Sequence, residues 1–288
     1  MHPIGVMVIG GMLKLTMRLT ILLALAWVCC PALGLAQVDG PVLLSADGEP
    51  LANQDEEAIV AMLRTAEEVG WEPIGHGITQ AQRLDLVSRD GIKIRAAFHD
   101  IHRNDRKMKR LPNDNVVAYV RDSYTSQVAA YRLGRLLKVE NIPPTVLRRS
   151  KKVKGSAQLW IEKSVMEKER EEKGIKPKDR TLWNQLYADM RVFDNLINNI
   201  DRNLGNMLID SQGHLWLIDH TRSFGQDKTI PHPEAITRCS VRLYEAIKDL
   251  DEAAVRQKMR SMKLLSNGEI KAIFRRRTEL LEMIDDRI

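Results

Sequence analysis

Cysteine is almost absent from this 288-residue chain: there are three, and Cys29 and Cys30 lie in an apolar N-terminal leader. Removing the leader leaves Cys239 alone, so no intrachain disulfide can form and stability must come from packing. Aromatic residues make up only 5% of the chain, and the formal charge of +6, from 44 Lys and Arg against 38 Asp and Glu, is a mild excess. Such a diffuse excess suits a phosphate-bearing ligand. It gives no basis for nucleic acid as a partner, which needs a basic face with aromatic or groove-entering elements. No Gly-x-Ser-x-Gly elbow surrounds Ser223, and no third ligand stands at zinc-site spacing with His214 and His220, so serine-hydrolase and zinc chemistry are not expected.

Residues 1–36 have the order of a signal peptide. Lys14 and Arg18 precede the apolar run "LTILLALAWVCC", and "PALGLAQ" then sets Gly34 and Ala36 at positions three and one before a cut, so the mature chain begins near Gln37. This predicts an exported protein, periplasmic or extracellular. The alternative is an uncleaved membrane anchor, since the run from Leu19 to Leu35 is near the lower limit for a span of about 20 residues.

Beyond a loop-like stretch, "QDEEAIVAMLRTAEEV" (54–69) has apolar residues at helical spacing with acids in its first turn. "RLDLVSRDGIKIRAAFHDI" reads as a hairpin about Asp90–Gly91, with Gly75 and Gly77 just upstream. "DSYTSQVAAYRLGRLLKV" is a helix stopped before Pro143–Pro144, and "PTVLRRSKKVKGSAQLWIEK" is a strand pair whose basic turn reads as solvated. The charged segment 164–180 reads as a solvated helix or linker, and the rest is mainly helical. The expected organisation is a leader (1–36), an extension with a helix (37–64), a small β lobe (65–163), a linker (164–180) and a helical lobe (181–288).

The chemistry concentrates in "NNIDRNLGNMLIDSQGHLWLIDH", residues 198–220. A polar loop precedes a short strand, "SQG" turns the chain, and a second strand ends in an aspartate. That arrangement brings Asp201, Asn206 and Asp219 to one end of a hairpin. Magnesium on a polyphosphate takes a few hard oxygen ligands and leaves its other positions to water and phosphate. Asn206 and Asp219 meet that demand, while Asp201 can orient a hydroxyl nucleophile and accept its proton.

The spacing of Asp201, Asn206 and Asp219 resembles the catalytic loop and metal aspartate of the protein-kinase-like superfamily. The phrase "FDNLINNIDRNLGNMLIDSQGHLWLIDHTRSFG" is most similar to phosphoinositide kinases and the atypical secretory-pathway kinases. The resemblance implies an α+β, two-lobed fold with a small antiparallel β lobe and a mainly helical C-terminal lobe. It implies ATP and Mg2+ as cofactors and a hydroxyl acceptor, whether protein, lipid head group or small metabolite. Gly75 and Gly77 become the phosphate-covering loop, and Glu162 a polar contact in the adenine-holding hinge. His99 stands where such kinases have their strand lysine, and Gln127 where they have its glutamate partner. Lys93, Arg95 and His99 share a strand face by alternation, so that face is expected to contact phosphate. Arg202 and Arg222 are accessory groups, Arg222 contacting a phosphate or a nearby carboxylate. The function implied is phosphoryl transfer; the alternatives are a pseudokinase that binds a nucleotide or a partner protein, and a non-catalytic interaction protein on the same scaffold.

Overall fold

The computed structural model describes residues 41–75, 81–105, 109–111, 114, 116–117 and 120–286; the leader and Gly77 lie outside them. The first elements are α1 (Glu56–Thr65), β1 (Glu67–Pro73), β2 (Gln82–Val87), β3 (Lys93–His99), β4 (His102–Asp105), β5 (Lys109–Arg110), β6 (Val116–Val117) and β7 (Val120–Ser123). They are followed by α2 (Tyr124–Leu136), β8 (Thr145–Ser150), β9 (Val153–Leu159), β10 (Val165–Met166), α3 (Glu167–Glu172) and α4 (Arg180–Leu196). The chain then forms β11 (Met207–Ile209), β12 (Leu215–Leu217), α5 (Val241–Lys248), α6 (Glu252–Ser261) and α7 (Asn267–Asp285). Among the described residues, no helix is long and apolar enough to cross a membrane.

The N-terminal part is a five-stranded antiparallel sheet in the order β1-β2-β3-β9-β8. Gly91, at φ +77°, makes the β2–β3 turn at the expected place, in a conformation that costs a residue without a Cβ little. Leu84, Leu86, Ile94, Ala96 and Phe98 pass one face of the sheet into a core shared with Val128, Tyr131 and Leu133 of α2. α2 is covered nearly all round, from Thr125 to Gly134, because it packs on β8 and β9.

Two segments differ from the sequence expectation. The first helix stops at Thr65, and Glu67–Pro73 is a strand paired with β2. Arg148 of β8 donates to the carbonyls of Leu63 and Ala66, both at 2.7 Å, closing the helix end from a distant part of the chain. The charged segment 164–180 is also less solvated than expected: Glu167 is fully buried, and Arg170 grips both its carboxylate oxygens at 2.6 and 2.7 Å. β10 then adds to the β11–β12 hairpin, making it a three-stranded sheet.

In the helical part α4, α5 and α6 pack against α7, and β12 rests on α4. Arg276 of α7 is wholly buried, which pushes its guanidinium down to about 9. It donates to the carbonyls of Leu196 (2.9 Å), Gly225 (3.3 Å) and Asp227, tying α7 to the end of α4 and to the loop after β12.

Where β3 meets β9 there is no spare room. A Cβ on Gly155 would lie 2.4 Å from the His99 carbonyl oxygen and 2.5 Å from the Phe98 ring. Gly155→Ala should therefore part the strands beside His99 and cost about 1–3 kcal/mol, the range for overpacking, in urea unfolding. A change within about 0.5 kcal/mol would show that the strands can shift freely there.

Candidate active site

The loop from Ile200 to Asn206 and the segment from Ile218 to Phe224 meet through their backbones. Ile200 N–H donates to Arg222 O (3.3 Å), Ile218 N–H to Asn206 O (3.1 Å), and Phe224 N–H to Ile197 O (2.6 Å). Asn203 caps a 3-10 turn over Leu204–Asn206 by accepting from Gly205 N–H at 2.8 Å. Asn198, Asp219 and Phe224 have φ of 55°, 50° and 66°, a left-handed conformation that surrounding structure must hold in place.

Arg202 connects these pieces. Its side chain is 4% exposed and pairs in bidentate fashion with Asp194 of α4, Nε to Oδ2 at 2.8 Å and Nη2 to Oδ1 at 3.1 Å. Nη1 donates to the carbonyls of Asn206 (2.6 Å) and Ile218 (2.8 Å), and Nη2 to Nε2 of His220 (2.9 Å). Burial would raise the Asp194 carboxyl, but the charge and hydrogen bonds of Arg202 hold it below the usual carboxylate range. Burial, with the Arg202 charge added, pushes His220 down to about 3, so the ring is neutral and accepts from Arg202.

The structure brings Asp201, Asn206 and Asp219 into this one assembly. Asn206 Nδ2 donates to the Asp201 carbonyl at 3.0 Å, and its Oδ1 takes no hydrogen bond. Asp219 Oδ1 accepts from the Thr221 hydroxyl at 2.8 Å, while Oδ2 takes none. These two hard oxygens, one amide and one carboxylate, lie on half-buried residues and are of the kind a hard cation takes. Among the described residues, no group of three or more His, Cys, Asp or Glu gathers as a metal-holding cluster. Phosphate and water oxygens would have to complete the coordination.

The other expected contacts are placed differently. Lys93 pairs with Asp47 at 3.5 Å, and Arg95 donates to Ala46 O at 2.6 Å and pairs with Glu162 at 3.1 Å. Both strand cations therefore have other partners, and Glu162 is an ion-pair partner of Arg95. Burial raises the Glu162 carboxyl, with Arg95 opposing. His99 is held below its ordinary range by burial, against the pull of Asp219, Asp122 and Asp100, so at neutral pH it supplies no charge. No hydrogen bond joins it to Gln127: His99 Nδ1 and both amide atoms of Gln127 are buried without partners. Gly75 lies exposed between β1 and β2, with open space where its Cβ would be.

Asp122 is a site residue that sequence spacing does not reveal. It lies in β7, which pairs with β4, and the following Ser123 N–H donates to Thr221 O at 3.0 Å. Asp122 thereby lies against Arg222, whose Nε reaches its Oδ2 at 3.2 Å while Nη1 reaches Asp201 Oδ2 at 2.9 Å. The turn-rich "LPNDN" followed by "VVAYVRD" was the available signal for this strand.

The family model for phosphatidylinositol 3- and 4-kinases matches residues 90–262, more than half of the chain. The chain belongs to this family. Its fold is that of atypical kinases: the structure of hydra Fam20 with sugar matches with a TM-score of 0.58 at 15% identity, over 82% of this chain and 90% of that one. The Golgi casein kinase with Mn/ADP bound matches at 0.52 and 14%, over 80% and 75%. The Helicobacter pylori proinflammatory kinase CtkA matches at 0.50 and 12%, over 78% and 96%. No curated protein matches significantly. The two-lobed, α+β kinase-like architecture expected of the family is thus present.

Removing Arg202 would leave the buried Asp194 without its counter-ion. Arg202→Met should cost about 3–5 kcal/mol in urea unfolding, and the Asp194→Leu/Arg202→Met double variant clearly less. A double variant as unstable as the single one would place the cost in the lost carbonyl contacts rather than in the stranded charge.

Proposed function

We propose that the protein is an ATP- and Mg2+-dependent phosphotransferase acting on a hydroxyl acceptor. The observation that carries this reading is the pair of unpartnered oxygens, Asn206 Oδ1 and Asp219 Oδ2, on backbone that Arg202 locks beside Asp201. A kinase-like relative with Mn/ADP bound supports a nucleotide with a divalent metal as the ligand. The metal would be held by Asn206 and Asp219, and it supplies neutralisation of phosphate charge when bound. Asp201 orients the acceptor hydroxyl and receives its proton as the oxygen bonds to the γ-phosphorus and the bond to the β–γ bridging oxygen breaks, releasing ADP. The leader extends the proposal to location: export after cleavage, or tethering by an uncleaved segment.

A pseudokinase is the second reading, favoured by the neutral His99 and by the absence of a bond between it and Gln127. A missing fixed cation costs transition-state stabilisation more than it costs binding.

Thermal unfolding with ATP, with and without Mg2+, tests the site. At ligand about 100-fold above Kd the stabilisation is about 2.7 kcal/mol, roughly 5–10 °C in Tm for a domain of this size. The Mg2+-dependent part should vanish in Asp219→Ala, and no shift in the parent protein would remove the nucleotide reading. For turnover, read as ATP hydrolysis or self-phosphorylation, Asp201→Asn should lose about 100-fold or more. Nucleotide stabilisation without any turnover in the parent would select the pseudokinase.

A further inference from the structure

Each of the three positions expected to offer charge to a triphosphate is paired elsewhere or uncharged. Lys93 and Arg95 are paired with Asp47 and Glu162, and His99 is neutral. The buried guanidinium of Arg202 is filled by Asp194, two carbonyls and His220. Arg222 is different. It lies three residues beyond Asp219, is 22% exposed, and spans Asp122 on one side and Asp201 on the other. Its Nη2 makes no hydrogen bond, so one arm of the fork remains to be used. A guanidinium suits this duty because its donors diverge in a plane, so it can hold one carboxylate and still meet a phosphate oxygen.

Asp122 is built to hold that guanidinium. It is 9% exposed, its Oδ2 accepts from Arg222, and its Oδ1 is buried without a partner. A buried, half-satisfied carboxylate is costly unless a cation stays beside it. Asp122 is carried by β7 rather than by either site loop, and the backbone bond from Ser123 to Thr221 keeps it in reach.

We infer that Arg222 is the cation that recognises the terminal phosphate of the nucleotide, in place of a strand lysine, and that Asp122 is its positioning residue. Asp201 is the partner of Nη1, so Nη2 is the donor left to meet the phosphate while Nη1 stays on the carboxylate. The inference rests on the phosphotransferase reading and assigns within it the group that tells a triphosphate from a diphosphate.

The test compares binding of ADP with that of the non-hydrolysable β,γ-imido analogue of ATP, both with saturating Mg2+, by titration calorimetry on the full chain. The parent should prefer the triphosphate. Arg222→Met should lose about ten-fold or more of triphosphate affinity, the factor carried by a hydrogen bond to a charged group, while ADP affinity stays within about two-fold. Retained ADP binding reports that the variant is folded. Arg222→Lys should recover part of the preference, and Asp122→Asn should lose part of it with ADP binding kept. Equal loss of both nucleotides in Arg222→Met, with the preference intact in Asp122→Asn, would make Arg222 a structural residue and overturn the inference. So would a parent that binds both nucleotides equally, or an unchanged preference in all three variants. Binding of neither nucleotide by the parent would instead remove the phosphotransferase reading itself, and this inference with it.

Discussion

A single buried guanidinium sets the geometry of the whole site. Arg202 draws the carboxylate of α4, the carbonyl of the loop residue Asn206, the carbonyl of Ile218 and the ring of His220 onto one planar group. Burying such a charge is unfavourable in itself, and it is sustained only because its main donors face fixed acceptors. The consequence is rigidity. Neither the loop carrying Asp201 nor the strand end carrying Asp219 can move alone without unpairing a buried charge.

That rigidity holds backbone which would otherwise relax. Asp219 and Phe224 occupy left-handed conformations on either side of Arg222, and bonds to Ile197, Ile200 and Ser123 keep the segment between them in place. Dipoles and carboxylates held in this way need not reorganise to meet a charged ligand. The strain and the hub are thus two aspects of one device: the first aims the oxygens, the second prevents their relaxation.

Charge is distributed in a way the residue types alone do not announce. The sheet lobe has cations on the expected strand face, but each is paired nearby, Lys93 with Asp47 and Arg95 with Glu162. The positive charge next to the Asp201 carboxylate comes instead from Arg222, which also pairs with Asp122.

The sequence determined by itself what is local in the chain. Asp201, Asn206 and Asp219 fall within one hairpin and its entry loop, so their convergence follows from spacing, as the β2–β3 turn follows from Asp90–Gly91. Several helices and strands were legible from their own periodicity, while the α+β kinase-like order was what the resemblance of the residue 193–225 motif implied. Only the tertiary structure decided the end of α1, closed by an arginine more than eighty residues away, and the burial of Glu167 with Arg170 inside a run that reads as solvated. It alone decided that Lys93 and Arg95 turn to other partners, and that Asp122 joins the site. Each depends on which charged groups meet across elements distant in sequence, and charge pairing follows distance in space rather than any period along the chain.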